Sequence, residues 1–286
     1  TMSTQITTAF VNQYSQNVTL LSQQMGSLLR NSVRTEAVNG EKAFFEQIGS
    51  GVAAARSSRN SDTPIMETPH ARRMCNLTDY EYADLIDDQD KIRMLISPDS
   101  TYAKAAAAAI GRAMDDEIIA ALGGTAKTGV SGGTSTALPS GQKIAHGGAG
   151  LTIAKLVSAK KIMDQNSVDP SIERYIVVSP EQIEDLLNST TVTSADFNSV
   201  KALVQGEMDT FLGFKFITSN RLTDNGTSRL CYAYAKEGMV LGMGKEPTAR
   251  IDERADKSYS TQIYYCSSFG STRLEEEMVV EIACNE

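Results

Sequence analysis

The first 29 residues carry no charged side chain, yet Phe10, Tyr14, Val18, Leu21, Met25 and Leu28 recur at helical spacing among Gln, Asn, Ser and Thr. This stripe predicts an amphipathic arm that packs either on its own domain or on another molecule, and the residues do not choose between them. From Ala43 to Leu95 the pattern becomes that of one long open hairpin. Its outgoing limb is Ala43-Phe44-Phe45-Glu46-Gln47-Ile48, and its return begins near Met66. The stretch between, Gly49 to Pro64, is rich in turn formers and poor in residues that fill a core, so exposure is expected there.

Helical periodicity returns at Ser97-Pro98-Asp99, where a capping serine, a proline at the first helical position and an acidic residue at the positive end of the dipole coincide. The stripe Ala103, Ala107, Ile110, Met114, Ile118, Ala121 and the stop at Gly123-Gly124 predict a rod about 37 Å long at ~1.5 Å per residue. The run Ala105 to Ala109 permits close approach of another backbone. Residues 124–150, rich in Gly, Ser and Thr, read as a flexible excursion.

Beyond it, a helix is predicted from Ile153 to Gln165 with Leu156, Val157, Lys160 and Met163 on one side, then a buried strand at Tyr175-Ile176-Val177-Val178. Ser179-Pro180-Glu181-Gln182 repeats the helix-start chemistry with a capping-box glutamine, and its helix turns Ile183, Leu186 and Leu187 inward. Strands are predicted at Phe214–Ser219, Leu230–Tyr234 and Met239–Leu241. The last forty residues alternate at period two, with Tyr259, Thr261, Ile263 and Tyr265, a break at Phe269-Gly270-Ser271, then Met278, Val280, Ile282 and Cys284. That predicts a long antiparallel hairpin.

Composition narrows the function classes. With 286 residues, 41% hydrophobic and 22% charged, the chain has the make-up of a globular protein large enough for two subdomains. A net charge of −8 argues against wrapping phosphate backbones, which takes many Lys and Arg. Cys75, Cys231, Cys266 and Cys284 are widely spaced with no Cys-x-x-Cys pair, so buried free thiols are expected. No run of about 18 uncharged apolar residues exists to cross a membrane as a helix.

Catalytic signatures fail one by one. His146-Gly147-Gly148 resembles an oxyanion loop, but no Gly-x-Ser-x-Gly elbow supplies a nucleophile. Gly124 to Gly129 lacks the Lys-Ser or Lys-Thr of a phosphate loop, and Gly242-Met243-Gly244 lacks the third glycine of a dinucleotide fingerprint. His70 and His146 are the only histidines, and no His-Glu-x-x-His is present. No catalytic residue, cofactor or metal site is assigned.

The order of elements is distinctive: polar arm, extended hairpin, long capped helix, α/β part, terminal β ribbon. It resembles the Hong Kong 97 fold of tailed-phage major capsid proteins, an α+β fold with an N-terminal arm, an E-loop hairpin, a spine helix in a peripheral domain and an α/β axial domain. The most specific local match is the run from Val204 to Leu222, with Gly206, then Gly213-Phe214, then Ser219-Asn220-Arg221-Leu222. A second is Tyr102 to Leu122, with Gly111-Arg112 and Asp115-Asp116-Glu117. The third is Ala233 to Gly242 with Arg250–Arg254 and the Phe269-Gly270 turn. The resemblance covers most of the chain from Ala43 onward.

It implies an arm at 1–41, an E-loop at 42–95, peripheral-domain segments at 96–150 and 246–286, and an axial domain at 151–245. The implied function is a structural coat subunit, not an enzyme, which assembles into hexamers and pentamers of an icosahedral head around double-stranded DNA without reading its sequence. Assembly in the host bacterial cytoplasm, residence in the virion, a separate scaffolding protein, a portal and a possible cement protein follow from the same resemblance, as does independence of membranes. Two further readings stay open, an encapsulin-type nanocompartment shell of the same fold and a hydrolase. Self-crosslinking members of the family use a hairpin lysine; none lies between Glu46 and Asp90, so no isopeptide bond is expected. Candidate intersubunit contacts are Arg56, Arg59, Arg72 and Arg73 on the hairpin, facing Asp87, Asp88 and Asp90 or another acidic patch of a neighbour.

Overall fold

The computed structural model describes residues 22–56, 58–60, 62, 65–86, 99–188 and 210–286, with backbone alone for Asp99–Tyr102. The arm stripe from Phe10 to Leu21, the capping pair Ser97-Pro98, and Val204 to Asp209 lie outside these residues. In chain order the first elements are β1 (Arg34–Ala37), β2 (Lys42–Ile48), β3 (His70–Asn76), β4 (Thr78–Ile86), helix α1 (Asp99–Gly123), β5 (Ala126–Thr128), β6 (Thr134–Thr136) and β7 (Lys143–Ile144). Then come α2 (Ile153–Gln165), β8 (Arg174–Val178), α3 (Pro180–Asn188), β9 (Thr210–Phe211), β10 (Phe214–Thr218), β11 (Ser228–Ala235), β12 (Met239–Arg254), β13 (Ser260–Arg273) and β14 (Val279–Asn285). The mixture is the α+β class that the resemblance implies.

Two compact units are present. One comprises residues 28–78, 114–244 and 269–286; the other comprises 1–27, 79–113 and 245–268. The larger unit is built on a six-stranded mixed sheet, β7-β14-β11-β8-β10-β9, in which β11 runs antiparallel to β14 and β8, and β10 runs parallel to β8. Its core is β-branched and aromatic: Ile176, Val177, Val178, Tyr232, Tyr234, Val280 and Ile282 are all buried. Such residues fill a pleated surface covered on both faces.

Helix α2 begins as predicted, with the Thr152 side chain accepting the Lys155 N–H. Its buried face is Leu156, Ala159 and Met163 with Lys155, whereas Val157 and Lys160, expected on the same side as Leu156 and Met163, are exposed. Lys155 is there for a reason of its own: its ammonium donates to the carbonyls of Ala149, Gly150 and Ala283 at 2.7–2.9 Å, which satisfies a buried charge. In α3 the inward positions are Gln182 and Leu186. Gln182 is not a capping-box residue; it accepts the Leu151 N–H and donates to Glu286.

Three expectations change on folding. The arm residues Met25 and Leu28 are not helical, and both are exposed. The Gly-rich segment is ordered main chain: β5 and β6 extend the β2-β3 hairpin into the four-stranded sheet β2-β3-β5-β6, and β7 joins β14. Gly129 and Gly132, at φ +95° and +72°, make the turn between β5 and β6 that a residue with a Cβ would strain. Finally, β13 runs unbroken through Phe269-Gly270-Ser271. Its neighbours are β12 and β4, while β14 goes to the other sheet, so the terminal hairpin is β12-β13 and not β13-β14. Gly270 marks a crossing and no turn, because a Cβ there would collide with the Asn76 carbonyl.

In the smaller unit, Gly111 of α1 is the point of close approach. A Cβ on it would lie 2.5 Å from the Gly26 carbonyl carbon and 2.7 Å from the Ser27 nitrogen. Next to it the Arg112 guanidinium donates to the Gln23 side chain at 2.8 Å and the Gln24 carbonyl at 3.2 Å. Residues 23–27 thus meet α1 at a glycine gap and at an arginine. On β13 the Tyr264 hydroxyl donates to Glu81 of β4 at 2.7 Å.

Candidate assembly interface

The hairpin β2-β3 pairs in full register from Lys42↔Asn76 to Ile48↔His70, and the Gly49 N–H bonding to the Pro69 carbonyl closes its base. Beyond that closure the described residues from Gly49 to Pro69 form no helix or strand, and nearly all are exposed. Val52 at 77% and Ile65 at 92% exposure show how little apolar surface this loop hides by itself. A loop of this length is uncommon in a compact domain.

The hairpin is fixed at its foot by a buried charge network. Arg73 of β3 ion-pairs with Glu276, and its Nε donates to the Leu274 carbonyl at 2.9 Å. The Gln47 amide of β2 donates to the same carbonyl. Glu276 also faces the Arg273 Nε at 3.6 Å. Arg273 is 0% exposed and donates to the carbonyls of Leu122, Gly124 and Thr136 at 2.9–3.2 Å. It therefore caps the C-terminal end of α1, where carbonyls lack partners and the dipole is negative. Burial pulls the Arg273 guanidinium below its ordinary value, with Glu276 opposing and Arg73 adding to the fall. One carboxylate thus joins the spine helix, the loop that follows it and the hairpin.

A groove opens beside this foot, lined among others by Ile48, Pro69, Arg73, Glu237, Glu275 and Glu277. Burial, and then the charges of Glu277 and Glu276, push Glu275 above the usual glutamate range. The arm has its own anchor on α1: Asp115, wholly buried, accepts the N–H groups of Leu28 and Leu29 at 3.0 and 3.1 Å.

The proposed contact residues fall into three groups. Arg56 and Arg59 sit on the exposed loop; Arg56 donates to the Ser58 carbonyl at 3.0 Å. Arg72 reaches across the hairpin to Glu46 at 2.6 Å, and Arg73 is turned inward at 7% exposure. Asp87, Asp88 and Asp90 lie outside the described residues. The sequence assigns no role to Glu276 or Arg273 and none as an anchor to Asp115. Three consecutive glutamates two residues after an arginine were visible, but their pairing depends on which strands become neighbours.

Among the described residues no cluster of three or more His, Cys, Asp or Glu side chains could hold a metal ion. His146 serves locally, its Nδ1 accepting the Gly148 N–H at 3.0 Å in a turn.

Comparison with known proteins places this arrangement. No curated protein matches the sequence. Solved structures do: the capsid of cyanophage P-SCSP1u superposes with a TM-score of 0.75 at 18% identity, over 97% of this chain and 93% of that one. The capsid of Ralstonia phage GP4 gives 0.73 at 9% identity, over 96% and 94%. A chain of Mycobacterium phage Che8 gives 0.69 at 18% identity, over 96% and 97%. These share the Hong Kong 97-type fold with the chain. The phage capsid protein family model matches residues 6–286, and the chain belongs to that family.

Proposed function

We propose that this chain is the major capsid protein of a tailed phage, a structural subunit that assembles with copies of itself into hexamers and pentamers of an icosahedral head enclosing double-stranded DNA. The observation that carries this reading is the family membership over nearly the whole chain, combined with a loop that exposes its own apolar residues. In this reading residues 1–41 are the arm, 42–95 the E-loop, 96–150 and 246–286 the peripheral domain, and 151–245 the axial domain around which capsomers form. Many contacts, each weak, close the lattice through multivalency.

Arg56, Arg59 and Arg72 are the hairpin cations offered to a neighbour, with Asp87, Asp88 and Asp90 as possible counter-charges. Arg73 acts from within by holding the hairpin foot. A scaffolding protein guides assembly in the bacterial cytoplasm, a portal occupies one vertex, and a cement protein can bind outside. The net charge of −8 suits an inner wall that leaves packed DNA free to move. Electron microscopy of the protein after expression tests the reading. Shells or capsomers are expected, and a persistent monomer at high concentration would overturn it.

A further inference from the structure

We propose that Cys231 and Cys284 form a redox latch, two thiols that close to a disulfide within the folded chain and tie the last strand, β14, to β11. The latch goes beyond the coat-subunit reading and uses none of its contact residues.

Strand register brings the two thiols together. β11 and β14 run antiparallel with Arg229 opposite Cys284 and Cys231 opposite Ile282. Residues opposite each other share a face, and so do residues two apart on one strand, which puts both thiols on one face at diagonal positions of adjacent strands. There they hydrogen-bond to each other. Both are free and 0% exposed. Cys75 and Cys266 sit on β3 and β13, in the two other sheets, so Cys231 and Cys284 are the pair that the register offers.

The pair is asymmetric, as an attacking and a resolving thiol are. The hydrogen bond with Cys231 pulls the Cys284 thiol below its ordinary value against the effect of burial, and the Lys155 ammonium, held on the neighbouring Ala283 carbonyl at 2.9 Å, adds to the fall. The same bond, followed by burial, pushes Cys231 well above its ordinary value. The oxidant is a peroxide, close to water in size and so able to reach thiols that are closed to bulky reagents. The Cys284 thiolate attacks one oxygen of hydrogen peroxide, the O–O bond breaks, hydroxide leaves, and Cys284 becomes a sulfenic acid. The Cys231 sulfur then displaces the hydroxyl from the Cys284 sulfur, and the S–S bond forms as water departs. Two thiols are oxidised by two electrons together, and the peroxide is reduced to two waters.

Between Cys231 and Cys284 the chain builds the whole of β12 and β13. The bond closes that excursion into a covalent loop, and a cross-link stabilises by constraining the unfolded chain, more so for a longer loop. In a reducing cytoplasm the latch stays open, and it closes where peroxide accumulates.

The folded whole chain is treated with hydrogen peroxide, alkylated in denaturant and peptide-mapped without reduction, with melting followed before and after. A peptide linked through Cys231 and Cys284 is expected, together with a melting temperature raised by roughly 5–10 °C that a dithiol reductant reverses. Cys75→Ala/Cys266→Ala should link as the wild type does, and Cys284→Ala should form no link. Linkage to Cys75 or Cys266, linkage between chains, sulfinic acid at Cys284 without a link, or no reaction overturns the latch. Where a variant does not fold, the peptide map of the wild type decides alone.

Discussion

Glu276 stands between two guanidinium groups, Arg73 and Arg273, all three side chains at most 11% exposed. Removing one member of a buried ion network strands the remaining charges, which costs far more than the network contributes relative to apolar residues. Glu276→Gln should therefore lower unfolding stability by about 3–5 kcal/mol, read as a fall in the urea midpoint at unchanged slope. Asp115 is a second such residue. Asp115→Ala leaves the Leu28 and Leu29 N–H groups without their acceptor, at about 1–3 kcal/mol for each group left unsatisfied. The same variant should become sensitive to proteolysis near residue 28 while the sheet core stays protected.

The Arg229 bond, followed by those from Ser179 and Gln182, holds the Glu286 carboxyl below the ordinary value of 4.5. A depressed carboxylate stabilises the fold fully above its unfolded value and loses that contribution as pH falls through its folded value. Stability should decline below pH 4.5, and Glu286→Gln should flatten that part of the profile. A decline of equal steepness in the variant would assign acid sensitivity to other carboxylates.

Among the elements, α1 concentrates the information. Gly111→Ala raises helix propensity by about 1 kcal/mol in isolation. Here the new methyl meets the backbone of Gly26 and Ser27 at 2.5–2.7 Å, atoms that cannot swing aside, so the arm must move. The expected outcome is a net loss of thermal stability and faster amide exchange at residues 22–27. An unchanged or higher melting temperature would mean that the arm is not tightly seated. Burial raises the Cys75 thiol to about 11, and all four cysteines are enclosed by sheet. Labelling by a thiol reagent at neutral pH should track unfolding, with little fast reaction in the native state.

Elements were unevenly legible. The start of α3 follows from Ser179-Pro180, because helix-start chemistry acts locally, whereas α2 is read from its periodicity and its Thr152 cap emerges only in the structure. Their inward faces were less legible: Lys155 and Gln182 are buried for carbonyls and amides on distant segments, which no local pattern records. Gly270 was misread as a turn for the same reason, since a glycine allows either a bend or a crossing strand and only the crossing strand decides.

Replacing residues 51–67 by a short Gly-Ser linker should leave β2-β3 paired and the core melting intact, because the loop contributes little to its own fold. Shell formation should be lost. Normal shells from this variant would remove the loop from the contacts that close the lattice.

The order of arm, hairpin, long helix, α/β sheet and terminal strands was fixed by the sequence, through periodicities and caps that act over a few residues. The class and the family follow from that order. Strand partnership was not so fixed: that β5 and β6 complete the hairpin sheet, that β14 leaves β13 for β11, and that Arg73 finds Glu276 two hundred residues away are tertiary decisions. The reason is physical. A strand satisfies its backbone with any neighbour, and a buried arginine with any carboxylate, so the choice is made by which surfaces pack when the whole chain closes.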